Sequence, residues 1–308
     1  MVIHLENPFV SIVLPTYNRQ VILRECLISV IGQSYKNWEI IVVDDCSSMP
    51  IEAGIKDLME KDDRIKYCRN VFRRMLPASR NIGISIAKYD IILFLEDDMV
   101  LDPDALRILV DAYQSQQRKD PMFGAIAPSI PFVQYNELKN LDAIKDRLLK
   151  ERPSLNDRPF TASKLTGAMI TDFNPKYQAV QEVPGAHACI MYPKKLLISE
   201  KGFKENVYKG NNLREESDMS FRLKKRGYRF YFEPMAIFFH VRVTEGGCRM
   251  NTPAYIYYTI VNHTKFLYYN YGLIKTLYMA PMFMLRTFKV YAIQVPKFLS
   301  RRLASHPA

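Results

Sequence analysis

Three short apolar runs, each ending in polar or acidic residues, constrain this chain more than any other feature. Residues 10–14 (VSIVL) run into Pro15-Thr16-Tyr17, 39–43 (EIIVV) into Asp44-Asp45, and 91–95 (IILFL) into Glu96-Asp97-Asp98. Runs of this length, rich in Val and Ile, predict strands covered on both faces. Between them apolar residues recur at helical spacing over 21–34, 51–61 and 77–87, with a short strand expected over 65–69. A further helix is expected over 103–117, with Pro103 in its first turn. Strands alternating with helices require right-handed crossovers and predict the α/β class, a mostly parallel sheet flanked by helices. Ligands of such sheets lie beyond the carboxyl ends of the strands, where these acids fall.

Three adjacent carboxylates repel one another and call for a positive partner. A strand ending in acids also describes the magnesium-binding strand of phosphate-loop ATPases, but the sequence holds no GxxxxGK[ST] loop. Asp44-Asp45 resembles the acidic pair of a phospho-receiver domain, yet this chain, at 308 residues, is far longer than one. A solvated acidic loop is the plainest alternative. Against it, two strands end in acids, and hard oxygen ligands in a cleft suit magnesium or manganese bound together with substrate phosphates.

The second half is less regular. Residues 136–151 read as an amphipathic helix, 152–174 as a polar connection and 185–192 as a strand. A helix is expected over 215–226, stopped by Gly227, and two strands over 229–232 and 236–239 on either side of Pro234. Five cysteines without a CxxC pair argue against a disulfide framework and for a reducing compartment. The opening residues MVIHLENPFVSIV carry no basic region or long apolar run, so no secretory leader is expected.

Of the net charge of +11, eight cations lie after Glu245, where no acid occurs: Arg249, Lys265, Lys275, Arg286, Lys289, Lys297, Arg301 and Arg302. Lys275, Arg286 and Lys297 are spaced to share a helix face, which Pro281 and Pro296 are expected to break. No stretch is long and apolar enough to span a bilayer. An acid-free, basic, aromatic-rich segment suits an anionic membrane surface. A helical layer packed on the catalytic domain or a homo-oligomer interface is the competing expectation. No nucleic-acid recognition module accompanies the charge.

VSIVLPTYNR (10–19), IIVVDDCS (40–47), ASRNIGISIA (78–87), ILFLEDDM (92–99) and REESDMSFRLKKRGYRFYFEPMAIFFH (214–240) together resemble an inverting family-2 glycosyltransferase of the GT-A fold. The resemblance covers about residues 9–241. It implies a Rossmann-like sheet and a nucleoside-diphosphate sugar as donor, with a divalent cation, manganese or magnesium, at the site. Pro15, Thr16 and Tyr17 would line the nucleotide pocket and Asp45 would accept from the base, with Asp44 holding the loop. Arg80 would meet the nucleotide or its phosphates, or pair with the acidic cluster, while Asn81 and Gly83 shape the turn into their helix. Asp98 would bind the metal and Asp97 the ribose; His240 and Glu96 complete the expected metal set, Glu96 standing where the family has Asp. Inversion needs a carboxylate to take the acceptor hydroxyl's proton. The family's Glu-Asp-x-Asp appears here as Glu215-Glu216-Ser217-Asp218, which makes Glu216 the expected base and Glu215 its alternative. Asp218 would help hold Arg222, and His187 would border the acceptor cleft.

The expected organisation is a catalytic domain over 1–245, with a nucleotide-binding half (1–117) and an acceptor half (118–245), followed by a basic, amphipathic helical tail over 246–308. The tail suggests a glycan or lipid-linked acceptor, and a cytoplasmic, peripheral position at the inner face of the cell membrane. Two competitors are a nucleotidyltransferase of related fold, whose Gly-rich first loop is replaced here by PTYNR, and a non-catalytic scaffold that binds membrane or nucleic acid.

Overall fold

The computed structural model describes residues 7–150, 160–171, 177, 179–185, 187–243 and 246–304. The first half alternates as expected. Strand β1 (Val10–Thr16) leads through α1 (Gln20–Ile31) to β2 (Trp38–Asp44), and α2 (Glu52–Lys61) leads to β3 (Ile65–Arg69). Helix α3 (Met75–Ile86) precedes β4 (Ile91–Phe94), a short β5 (Met99–Leu101) and α4 (Ala105–Lys119). Then come β6 (Phe123–Ser129), β7 (Phe132–Gln134), a 3₁₀ turn over Tyr135–Asn140 and α5 (Leu141–Lys150). A small antiparallel hairpin, β8 (Phe160–Ala162) with β9 (Met169–Thr171), stands apart from the main sheet. The remainder is β10 (Gln181–Val183), β11 (Ile190–Pro193), α6 (Lys194–Ser199), α7 (Glu215–Lys225), β12 (Arg229–Arg242), α8 (Thr252–Tyr271) and α9 (Leu273–Ala304).

The main sheet runs β10-β12-β6-β11-β4-β1-β2-β3. β4, β1, β2 and β3 are parallel, as are β6 and β12, whereas β11 is antiparallel to both neighbours. Every residue of β1 and β2 is buried, which explains their unbroken apolar character. One core lies on each face: Leu14, Leu27, Val42, Leu93 and Leu109 on one, Val13, Ile41, Ile92, Ile190 and Phe232 on the other. Gly83 lets α3 close on the sheet, since a Cβ there would stand 2.2 Å from a Val13 methyl. Asn81 and Gly83 thus lie inside α3 rather than at a turn leading into it; the Asn81 side chain instead holds the Phe203 backbone, receiving from its amide at 2.8 Å and donating to its carbonyl at 2.9 Å.

Three readings of the second half are corrected. The two strands around Pro234 are one 14-residue strand, β12; the register shifts between Glu233 and Ile237, so the proline interrupts no paired ladder. The helix expected over 136–151 is a 3₁₀ turn followed by α5, with residue 151 outside the described residues. The strand expected over 185–192 begins only at Ile190, and the connection over 152–174 lies partly outside the described residues.

Prolines 281 and 296 do not break α9, which continues from Leu273 to Ala304. Pro281 and Leu277 are both exposed, so the carbonyl that Pro281 frees faces solvent and stays hydrated. After Gly272 (φ +82°) α9 folds back along α8, and Phe283 stacks on His263 with ring centroids 3.7 Å apart. The pair packs on the α/β domain through Phe266, Leu267 and Met279, which cluster with Tyr208. The side chains of Lys297, Arg301 and Arg302 lie outside those described.

Candidate active site

A cavity of about 390 Å³ opens at the carboxyl ends of β1, β2 and β4. Pro15, Thr16, Tyr17, Asp45, Arg80, Glu96, Asp97, Asp98 and His240 all line it. The parallel register accounts for much of this: Thr16 pairs with Asp44, and Val13 with Phe94, so the residues that follow these strands emerge together.

The two acids after β2 face different ways. Asp44 is fully buried and accepts from Ser47 N at 2.9 Å and from the Tyr67 hydroxyl at 2.9 Å, fixing the loop beneath the pocket. Asp45 accepts from Asn70 Nδ2 and Arg74 N through Oδ1 and from Met75 N through Oδ2, each at 2.8 Å. Its Oδ2 thereby keeps one acceptor position on the pocket side.

The cluster after β4 is held by a residue that sequence reasoning missed. Arg19 Nη1 lies 2.8 Å from Asp97 Oδ1 and 2.9 Å from Asp98 Oδ2. Asp97 also accepts from Thr16 Oγ1 at 2.8 Å. Burial pushes the Asp97 carboxyl up to about 6, against the lowering pull of Arg19. Burial, reinforced by the negative charge of Asp98, pushes Glu96 up to about 7. At Asp98 burial is outweighed by the hydrogen bond and charge of His240, and the carboxyl falls below its ordinary value. His240 Nε2 is 3.4 Å from Asp98 Oδ2, and this carboxylate outweighs burial to raise the imidazole.

Glu96, Asp98 and His240 can each turn one ligand atom to a common point, all within 4.8 Å of one another. Two carboxylates and an imidazole suit a divalent cation. A buried carboxyl pushed up further by neighbouring negative charge, as at Glu96, is what such a cation relieves. The residues therefore fit the metal that the fold family implies.

Arg80, in the lining of the cavity, connects it to the amino end of α7. Glu215 is buried and ion-paired with the equally buried Arg80, whose Nη1 is also 3.7 Å from Glu216 Oε1. Arg80 thus pairs with the α7 acids rather than with the cluster after β4, and stacks near Phe94 and Phe203. The Glu216 side chain is 21% exposed, against 0% for Glu215. Asp218 does hold Arg222, at 2.9 Å, and also accepts from Lys204, Tyr208 and Asn270. His187 does not line the cavity: its Nδ1 accepts from Cys189 N, its Nε2 faces the Pro128 carbonyl, and burial pushes it down to about 3.

The remaining wall comes from after residue 245. Gly247, Cys248, Arg249, Met250 and Tyr255 line the cavity beside Asn211 and Asn212. Gly247 N donates to the Tyr17 carbonyl at 2.9 Å, and Arg73, stacked on the Tyr17 ring, donates to the Gly247 carbonyl at 3.3 Å. A Cβ on Gly247 (φ +58°) would stand 2.7 Å from the Arg19 guanidinium carbon, so only glycine allows this approach. Nothing local marks these contacts, since the partners are about 230 positions apart; the adjacent glycines 246 and 247 were the available signal.

The family model for Glycosyl transferase family 2 matches residues 11–168, half of the chain. This protein belongs to that family. A Campylobacter jejuni GalNAc(5)-diNAcBac-PP-undecaprenol beta-1,3-glucosyltransferase is 38% identical over 104 residues, 33% of this chain and 34% of that protein. The Escherichia coli UDP-Glc:alpha-D-GlcNAc-diphosphoundecaprenol beta-1,3-glucosyltransferase WfgD is 34% identical over 94 residues, 30% of this chain and 36% of the relative. The matched segment spans about a third of the length of these curated relatives. Among solved structures, the Pyrobaculum calidifontis mannosyltransferase PcManGT in complex with GDP-Man and Mn2+ superposes with a TM-score of 0.57. The identity is 16%, and 97% of this chain and 80% of the other are covered. S. aureus TarS in complex with UDP gives a TM-score of 0.53 at 15% identity, covering 84% of this chain and 65% of the other. The α/β fold with its helical extension is therefore the GT-A fold of this family.

Proposed function

We propose that this protein is an inverting glycosyltransferase that moves a sugar from a nucleoside-diphosphate sugar onto a hydroxyl of a glycan or lipid-linked acceptor. The observation that carries the reading is the cavity lined by Asp45, Asp97 and the Glu96–Asp98–His240 set, with Arg80 in the same lining paired to the α7 acids. Asp45 takes an N–H of the base on its remaining acceptor position, Asp97 the ribose, and Arg73 and Arg249 face the diphosphate. Glu96, Asp98 and His240 would hold a manganese or magnesium ion, which when bound supplies positive charge against the departing diphosphate.

Glu216 is the base. Glu215 is spent on Arg80, whereas the Glu216 side chain keeps 21% exposure and stands 3.7 Å from Arg80, which lines the cavity. As the acceptor oxygen attacks the anomeric carbon, its proton passes to Glu216, and the bond to the diphosphate oxygen breaks with its electron pair leaving on the nucleotide. Attack from the face opposite the leaving group inverts the anomeric centre. The lipid-linked choice is supported by the two relatives, whose names specify undecaprenol-linked acceptors.

The tail favours peripheral contact with an anionic membrane. Ile274, Leu277, Tyr278, Leu285 and Phe288 recur at helical spacing on the exposed side of α9, with Lys275, Arg286 and Lys289 beside them. Among the described residues no helix is long and apolar enough to cross a membrane. Calorimetry with UDP and GDP, with and without manganese, tests the donor reading: metal-linked binding of one of them is expected, and binding of neither overturns it.

A further inference from the structure

The proposed base sits two residues after an arginine with an unusual conformation. Arg214, the residue immediately before α7, is left-handed (φ 84°, ψ 0°) and buried. A non-glycine residue in this region costs on the order of 1 kcal/mol or more and persists only when its surroundings hold it there. No side-chain cap of its own stabilises the helix start; the Arg214 carbonyl instead accepts the first helical bond, from Asp218 N at 2.9 Å. What holds Arg214 is α8. Its Nε donates to His263 Nδ1 at 3.0 Å, and His263 Nε2 stands 2.7 Å from the Thr166 carbonyl.

These partners fix the imidazole's proton. A guanidinium N–H can only donate and a carbonyl can only accept, so His263 must be neutral, with hydrogen on Nε2 and a lone pair on Nδ1. Burial first, and then the charge of Arg214, push its titration down to about 3, in keeping with that state. Phe283 of α9 stacks on one face of the ring at 3.7 Å. Gly167 (φ +64°) brings the turn between β8 and β9 so close that a Cβ there would meet Leu267 at 2.7 Å and Met279 at 3.1 Å. His263 therefore ties together three segments far apart in sequence: the start of α7, the Thr166 turn and the α8–α9 hairpin. One helical turn into α7, a second tie comes from the same helix, Asn270 Nδ2 donating to Asp218 Oδ1 at 3.0 Å.

We infer that His263 is a positioning residue for sugar transfer: through Arg214 it sets the start of α7 and hence the direction of the Glu216 carboxylate. This rests on the reading of Glu216 as the base. Neither His263 nor Arg214 lines the cavity, so neither meets the donor. The α8–α9 hairpin is then part of the catalytic apparatus, whatever else its outer face contacts.

The test compares His263→Asn with His263→Leu in the full chain, reading kcat, the KM for donor and the affinity for nucleoside diphosphate. Asn keeps an acceptor toward Arg214 at the Nδ1 position, whereas Leu keeps apolar volume and loses the acceptor. Positioning predicts that Leu lowers kcat by about 10- to 100-fold with donor KM and nucleotide affinity unchanged, and that Asn recovers most of it. A residue that merely packs predicts the reverse order, and Leu equal to wild type or better than Asn overturns the inference. Equal losses in kcat and nucleotide affinity also overturn it. Where His263→Leu does not fold, Arg214→Gln (a donor kept) against Arg214→Met (length kept, donor lost) gives the same comparison from the other partner. If Glu216→Gln transfers sugar at the wild-type rate, the base assignment itself has failed; if Glu216→Gln is inactive and the His263 variants are all fully active, only this inference has.

Discussion

The two walls of the cavity are built by opposite means. The donor wall is made of residues at or just past strand ends, Thr16, Asp45 and Glu96 to Asp98, and their geometry follows from parallel register within about a hundred residues. The other wall is assembled from Asn211, Asn212, the loop after residue 245 and Tyr255, with the α7 acids behind Arg80, and is held by contacts spanning much of the chain. The first wall is a local consequence of strand ends; the second exists only once the C-terminal helices have docked. Donor binding and proton removal should therefore separate under mutation, and the joints between the walls should be the sensitive places.

The largest separation is expected at the donor wall. Asp98→Ala removes a proposed ligand and a partner of both Arg19 and His240. Turnover should fall by about 1000-fold or more, and manganese should no longer strengthen nucleotide binding, read by calorimetry with and without the ion. On the far side of the molecule, Leu277→Glu with Phe288→Glu places two carboxylates on the exposed stripe of α9 while leaving its packed side, Met279 and Phe283, untouched. Flotation with anionic vesicles should drop by at least about tenfold, with turnover of a soluble acceptor unchanged. No binding of the wild-type protein to either anionic or neutral vesicles would leave the stripe as an interface between copies of the chain. A smaller effect belongs at the joint between the walls. Gly247→Ala drives a methyl into Arg19 and strains a positive φ, so nucleotide affinity should weaken by about tenfold, with a small fall in thermal stability from the strained backbone.

The same contrast explains what could be read from the sequence. Strands β1, β2 and β4 declare themselves because burial on both faces demands continuous apolar residues, and the acids that follow them have no structural excuse. Glu96 and Asp98 drew attention by following such a strand, whereas their expected metal role, and His240 altogether, came from the resemblance to the family. Arg19 was not, although it lies in the quoted PTYNR, because its role depends on a side chain turning back over the sheet edge toward acids almost eighty positions away. Arg80 was expected at the nucleotide phosphates or paired with those acids; it lines the cavity, and its ion pair is with Glu215. Pro234 and Pro281 looked like breaks because a proline's lost hydrogen bond is visible in sequence, whereas a register shift or a hydrated carbonyl that makes the loss harmless is not. His263 and Asn270 carry no motif at all; their meaning arises only where α8 crosses the start of α7.

The central claim is that the two walls perform separable halves of one displacement, with Glu216 removing the acceptor proton. The most direct measurement is on Glu216→Gln, which keeps shape and removes the basic oxygen: turnover with the donor found by a nucleotide-sugar screen in manganese, beside calorimetric affinity for the matching nucleoside diphosphate. The account predicts that kcat falls by about 100- to 10,000-fold while nucleotide affinity stays within about twofold of wild type. Full transfer activity in Glu216→Gln would contradict it.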